Sequence, residues 1–536
     1  MKSTIPIKIR NLRIEIQNIR CVTGAAGLAI GIYLLGTYLL SLFYHCGFQE
    51  VHIFSPHKGN AAATTISFLV FGAGFLMLYV IPGWIFSLHF RRLQNDLPVF
   101  LGVSFLSSIL ICILVTTIYK IIRPATGLDR INFLGLLMLS TVFELVSLSR
   151  KRHGQKQYPN KKLILSLKHA TPYCGLILVA VLFGLTFRPV ILNGAPVAYQ
   201  YDKDMILAIP LGQQSDALEV FGLANSLRTH LLPYWDLEYS NKFGYVFTDP
   251  PLYPYVSVFA TLLFGENLAA LSLLSLSFIV MMFSAVMAQG HPPQSKIRFL
   301  TCAGLMLAYL FVVLKEPAIF ISIEHFFIWQ ILLAYIFLLR KNNAVFLLFA
   351  ASTTMTRFYG ILFILLSICA LFIFLKERRR EAQRLFFQYG GIVLSLLSFI
   401  FLAGVMTGDS GVYVKCLLIE HFNRFDHFSL LSRIYPMEVV YSPSPAFHQS
   451  VQFLRWTLAG TALLFPAFFV FGNDRTEKFY SFISLVYFAL VFISTYNLPR
   501  YVLPLIPLTA AVVGRQWERH LGRRTCAATP RKPRTS

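Results

Sequence analysis

The chain has 536 residues, 56% of them hydrophobic and only 13% charged, with a mean hydropathy of +0.63. An average soluble chain is about a quarter charged, so this composition excludes an ordinary soluble domain and indicates an all-α polytopic membrane protein. The formal net charge of +23 would point to nucleic acid in a soluble chain, but here the basic residues gather in alternate loops, as membrane topology requires.

Taken in chain order, a basic arm (Lys2, Lys8, Arg10, Arg13, Arg20) precedes apolar runs at roughly 21–43, 64–90, 99–119 and 131–148. The first run is too long for the apolar part of a signal peptide and reads as an uncleaved span. These four make an N-terminal unit, 1–148, in which Pro82-Gly83-Trp84 reads as a helix kink beside an interfacial aromatic. Glu144 reads as a charge paired inside the bundle. A basic stretch at 149–165 follows as a cytoplasmic linker. The larger unit, 166–515, holds runs at 171–187, 251–264, 267–288, 299–314, 325–339, 344–356, 360–375, 388–406, 451–471, 479–495 and 501–514. Long polar intervals at 188–250 and 407–450 read as outer loops, and 516–536 reads as a disordered basic tail.

Placing every Lys/Arg cluster in the cytoplasm requires one apolar run not to cross. The short 251–264 run, opened by Pro250-Pro251, is the weakest, and with the preceding 215–230 helix it forms a juxtamembrane or re-entrant pair. About fourteen spans remain, with both termini cytoplasmic; if 251–264 does cross, a later segment must be the one that turns back. No Asn-X-Ser/Thr sequon occurs in the chain, which argues against a eukaryotic secretory route; the expected location is a bacterial inner membrane. The eight cysteines lie mostly in apolar runs, and Cys46 and Cys416 alone fall in predicted outer loops.

This topology puts Asp216, Asp236, Asp249, Glu316, Glu324, Arg357 and Arg500 at the non-cytoplasmic ends of spans. Ionisable groups at membrane depth cost about 2.5–3.5 kcal/mol each on the mildest scale, so their gathering on one side points to a shared aqueous site. From Ser215 onward, Val220, Leu223, Ala224, Leu227 and Leu231 share one helical face, the pattern of a helix lying along the outer surface. Asp216 stands where it would cap that helix, and Glu219 three residues on completes a capping box. A partly desolvated carboxylate there also suits a general base, and Asp249, held by Thr248 and the two prolines, is a second candidate for either role. His421, Asp426 and His427 have loose metal-ligand spacing but lie beside Phe422, Phe425 and Phe428, and read as an interfacial lid.

The order SDALEVFGLANSLRTHLLPYWD, then TDPPLYPYVSVFATLLFG, resembles the first outer loop of the GT-C superfamily of membrane glycosyltransferases, which includes protein O-mannosyltransferases and the enzymes that add aminoarabinose to lipid A. Three later stretches continue the family's order: KEPAIFISIEHFFIWQILLAYIFLLRK with Glu324, TTMTRFYGILFILL with Arg357, and NLPRYVLPLIPLTAAVVG with Arg500. The likeness covers about residues 165–515. It departs from the family in the four preceding spans and in Ser215-Asp216-Ala217, where family members commonly carry two adjacent acids; Glu219 stands one turn on.

The resemblance implies a GT-C-like bundle that moves a sugar from a polyprenyl-phosphate donor to an acceptor hydroxyl on a cell-envelope glycan, lipid or protein, with no nucleic-acid partner. It implies Asp216 as the base, with Arg357, Arg500, Glu324, Asp249 and Glu219 lining the substrate and phosphate site. A divalent cation is compatible with this arrangement, but no ligand set for one is evident. Two other readings share the same polar cavity: a carrier for a lipid-linked saccharide, and a catalytically inactive scaffold with the same fold.

Overall fold

A computed structural model describes residue 31 and residues 69–87, 97–123, 130–153, 167–186, 252–264, 268–289, 296–314, 323–406, 474–493 and 503–528. Every element among them is helical. A π-helical turn, Leu76–Val80, leads into α1 (Ile81–Ser87), and α2 (Leu97–Ile122), α3 (Arg130–His153) and α4 (Leu167–Thr186) follow. Next come α5 (Leu252–Phe264), α6 (Leu268–Ala288), α7 (Lys296–Leu314), α8 (Ile323–Leu339), α9 (Asn343–Thr354) and α10 (Gly360–Phe374). A short 3-10 turn, Lys376–Arg378, joins α10 to α11 (Arg379–Met406), and α12 (Arg475–Ile493) and α13 (Leu505–Ala528) complete the set.

Two of the described helices, over Pro98–Ile122 and Ala270–Ala288, are long and apolar enough to cross a bilayer. At 1.5 Å of rise per residue, the 13 residues of α5 and the 12 of α9 reach only about 18–20 Å, short of the roughly 30 Å of a hydrocarbon core. α10 and α11 meet at a bend of 117°. The first begins at Gly360 beside α8's start and the second leaves from the level of α8's end, where Arg378 Nη2 bonds the Leu338 carbonyl at 2.8 Å.

Two expectations from sequence are corrected. The tail does not become irregular at 516: α13 continues to Ala528. Its Arg-Gln-Trp-Glu-Arg-His-Leu stretch is made of residues that tolerate or favour a helix, and Arg515 at its head is tied down on two sides. Residues 529–536 lie outside the described residues. Gly83, in turn, is a contact point between helices rather than a simple kink. Pro82 lacks an N–H, the π-helical turn just before it shifts the hydrogen-bond register, and the Gly83 amide is satisfied sideways by Ser108 Oγ at 2.7 Å. A Cβ on Gly83 would overlap the Ser104 carbonyl and the Ser108 backbone nitrogen. Ser104 Oγ also reaches Ser87 Oγ at 3.2 Å, so α1 and α2 meet backbone to backbone through small residues, as helices in lipid commonly do.

One continuous core joins the helices before and after the 149–165 linker. Its centre is Phe105 of α2, fully buried, whose ring meets Tyr79 at 5.0 Å, Trp329 at 5.2 Å and Phe278 at 5.5 Å. Tyr79 donates its hydroxyl to the Val256 carbonyl of α5 at 2.6 Å. The early helices therefore pack directly on α5, α6 and α8.

Arginines dominate one end of the bundle. Arg340 Nη2 donates to the Ala288 carbonyl at 2.8 Å, Arg298 Nη1 to Met287 at 3.4 Å, and Arg515 Nη2 to Gln289. These carbonyls end α6, where a helix leaves acceptors unpaired and carries partial negative charge. Arg515 also pairs with Asp474 at 3.2 Å, and Arg475 with Glu377 at 3.0 Å. α8 closes with a Schellman turn: Lys341 sits at φ 59, its amide bonding Leu338 and that of Asn342 bonding Phe337.

Arg378 grips Glu381 through two contacts of 2.6 and 2.7 Å. Those hydrogen bonds, helped by Asn343 and the charge of Lys341, hold the Glu381 carboxyl below its ordinary value. Glu377 is lowered as well, by its own backbone N–H and then by Arg475. Both folded values lie below the unfolded ones, so their contribution is present above the ordinary carboxylate value of about 4.3 and is lost as pH falls through the folded values. The melting temperature of purified protein is thus expected to exceed that of Glu381→Gln at neutral pH. The gap should close on acidification below about pH 4, and a gap constant from pH 7 to 3 would contradict the assignment.

Candidate functional site

The opposite end of α8 is built differently. Glu324 lies in its first turn and is fully buried, about 24 Å along the helix from Arg340 at 1.5 Å per residue. The helix that follows Arg340, α9, runs back toward Glu324 and ends in Thr353 and Thr354, with Thr356 in the turn just beyond. Their hydroxyls bond the carbonyls of Phe349 (2.7 Å), Ala350 (3.0 Å) and Ser352 (2.9 Å), four residues back in each case. Such back-bonding competes with helical hydrogen bonds and bends a helix end, and here the chain leaves the helix in a tight turn. The Arg357 amide bonds the Thr353 carbonyl at 3.0 Å, and that of Gly360 bonds Arg357 at 2.9 Å. A Cβ on Gly360 would lie 2.8 Å from Thr353 Cγ2 and 2.9 Å from its carbonyl oxygen, so a side chain there would open the turn.

This turn delivers Arg357 to Glu324. Arg357 Nη2 lies 3.3 Å from Glu324 Oε1, with the two side chains 8% and 0% exposed. Tyr359, two residues on, donates its hydroxyl to Glu324 Oε2. Phe327, one turn along α8, packs edge-on against the Tyr359 ring at 4.6 Å. The turn is pinned from the same helix by Gln330, which donates to Ser352 Oγ at 2.8 Å and accepts from Thr356 Oγ1 at 2.9 Å. Beside Glu324, His325 Nδ1 meets the Tyr309 hydroxyl of α7 at 2.9 Å, and Thr354 Oγ1 meets the Tyr389 hydroxyl of α11 at 2.6 Å. Leu252, which opens α5 three residues after Asp249 in sequence, donates its amide to the Met355 carbonyl at 3.0 Å.

Of the residues expected to share a site, Glu324 and Arg357 are therefore in contact although 33 positions separate them. Asp216, Glu219, Asp236, Asp249, Glu316 and Arg500 lie outside the described residues, as do His421, Asp426 and His427. Among the described residues no group of three His, Cys, Asp or Glu side chains is arranged to hold a metal ion. Tyr359, Gln330 and the Tyr309–His325 pair were not singled out from sequence. A glutamine, a histidine and an acid within the 17 otherwise apolar residues of α8 were signal enough, since polar groups in such a helix need partners.

Chemically, the arrangement is a buried guanidinium whose charge is countered by a carboxylate, itself shared with a phenol. It suits an oxyanion with planar or tetrahedral acceptor geometry, which a guanidinium fork holds by paired donors. No family model matches this chain, and neither a curated protein nor a solved structure was found to be similar to it.

Proposed function

We propose that this chain is a multi-span glycosyltransferase of the GT-C kind. It moves a sugar from a polyprenyl-phosphate donor to an acceptor hydroxyl at the outer face of a bacterial inner membrane, with about fourteen crossings and both termini in the cytoplasm. The single observation that carries this reading is the Glu324–Arg357 ion pair. Both residues were assigned to one site from separate sequence stretches, and they meet at the end of α8 remote from the arginine-rich cluster. The sequence puts the candidate residues at one boundary rather than at mid-membrane, which also favours a transferase over a carrier, whose binding groups belong near the midplane.

In the proposed reaction the acceptor oxygen attacks the anomeric carbon of the donor. The bond from that carbon to the phosphate oxygen breaks, Asp216 takes the hydroxyl proton, and polyprenyl phosphate departs with the electron pair. Arg357 and Arg500 hold the phosphate as its charge grows, a stabilisation that a preorganised guanidinium supplies without reorganisation. Asp249 and Glu219 belong to the same substrate and phosphate site in this reading. The opening of α5 at the Met355 carbonyl supports bringing the Thr-Asp-Pro-Pro step toward the Arg357 turn.

Asp216→Asn is expected to leave abundance and membrane insertion intact while lowering transfer by about 10²–10⁴-fold, the usual contribution of a general base. The check is transfer from a radiolabelled polyprenyl-phosphate sugar pool in membranes carrying each variant. Transfer at the wild-type rate would remove Asp216 as the base.

A further inference from the structure

We propose that Glu324 is the resting occupant of an anion seat on Arg357, so that an incoming phosphate-class oxyanion binds by displacing a carboxylate of the protein itself. This rests on the reading of Arg357 as a phosphate-holding residue and adds what stands in the seat beforehand and what frees it.

The contrast between two arginine–glutamate pairs carries the argument. At the arginine-rich end Arg378 and Glu381 are clasped through two contacts of 2.6 and 2.7 Å, the short range of charge-assisted hydrogen bonds. At the other end the Arg357–Glu324 approach is 3.3 Å, looser than that range. The second oxygen of Glu324 instead accepts from the Tyr359 hydroxyl, so the carboxylate is divided between guanidinium and phenol.

Exposure is also unequal. Glu324 is closed off completely, whereas the Arg357 side chain keeps 8% of its surface open. A ligand therefore meets the guanidinium first. Carboxylate and phosphate are interchangeable acceptors for that group, and a displaced Glu324 keeps its Tyr359 hydrogen bond, so it is not stranded without a donor, which would be costly.

Two variants then act in opposite directions. Glu324→Gln removes the competing charge and retains an acceptor for Tyr359. If the open seat is populated about one time in ten in the resting protein, freeing it tightens apparent affinity about tenfold. Tyr359→Phe removes the group that draws the carboxylate away, strengthens its hold on Arg357, and weakens ligand binding several-fold. A merely structural role for the triad would weaken binding in both variants.

The experiment is equilibrium binding of tritiated farnesyl phosphate to full-length protein in detergent, with unlabelled farnesyl phosphate, inorganic phosphate and farnesol as competitors. The expected result is tighter binding by Glu324→Gln, weaker binding by Tyr359→Phe and no saturable binding by Arg357→Ala. Competition by inorganic phosphate assigns the seat to a free anion and competition by farnesyl phosphate alone assigns it to a lipid headgroup, both in support of an oxyanion seat. Competition by farnesol as effective as that by farnesyl phosphate overturns it.

Unchanged or weaker binding by Glu324→Gln with Arg357→Ala still inactive refutes displacement while leaving the phosphate role of Arg357 standing. Wild-type binding by Arg357→Ala removes both. Should Glu324→Gln fail to accumulate, Tyr359→Phe decides alone, and tighter binding by it refutes the proposal.

Discussion

Arg357→Ala is expected to destabilise the protein by about 3–5 kcal/mol, the usual cost of removing one partner from a buried ion pair. Glu324 is fully closed from solvent, and truncating Arg357 removes the guanidinium that offsets its buried charge. The double change Glu324→Gln with Arg357→Met is expected to recover most of that loss, because a neutral pair of similar volume avoids the desolvation of two charges. Recovery of stability without recovery of transfer would identify the pair as functional rather than architectural. Thermal unfolding in detergent, followed by tryptophan fluorescence, provides the measurement, since Trp329 is fully buried in the folded protein. A single variant as stable as wild type would show that the carboxylate does not depend on this guanidinium.

Gly83→Ala is expected to rank with the most damaging single-methyl changes available in the molecule. Overpacking a core costs about 1–3 kcal/mol when side chains can move aside, but here the obstacles are the backbone of Ser104 and Ser108. The two helices must separate, which also breaks the Gly83 amide bond to Ser108 and the Ser104–Ser87 contact. The loss should therefore reach at least the upper end of that range. Because α2 carries Phe105 into the Trp329 region of α8, the effect should extend to the Glu324 end and lower transfer as well as melting temperature. Gly135→Ala, with nothing within 4 Å of a Cβ placed there, is the control and should be near neutral.

Much of the helical framework was legible because hydropathy in lipid is a one-dimensional signal: runs expected at 251–264 and 360–375 became Leu252–Phe264 and Gly360–Phe374. Boundaries failed where charged residues form helix. α11 begins at Arg379, before the apolar run at 388, because Arg-Arg-Glu-Ala-Gln-Arg favours a helix in the aqueous margin that a hydropathy scan ignores. The same cause extended α13 past 515.

For the site, charge in an apolar setting flagged Glu324 and Arg357, which the structure joins. The phenol between them was passed over because tyrosine is unremarkable near a membrane boundary. Its role depends on the turn set by Thr353, Thr354 and Thr356, which no spacing rule specifies. Gly83 was read as local geometry because its partner, α2, is visible only in three dimensions.

The arginine caps on the end of α6 bear on biogenesis. Arg515 reaches back across 226 positions to the Gln289 carbonyl, and Arg340 across 52 to Ala288, so chain elements made late close a helix end made early. Until they emerge from the ribosome those carbonyls are hydrated by water at little cost. Once they arrive, the early spans are locked in register, and the last helix becomes the fastener of the whole assembly rather than an appendage to it.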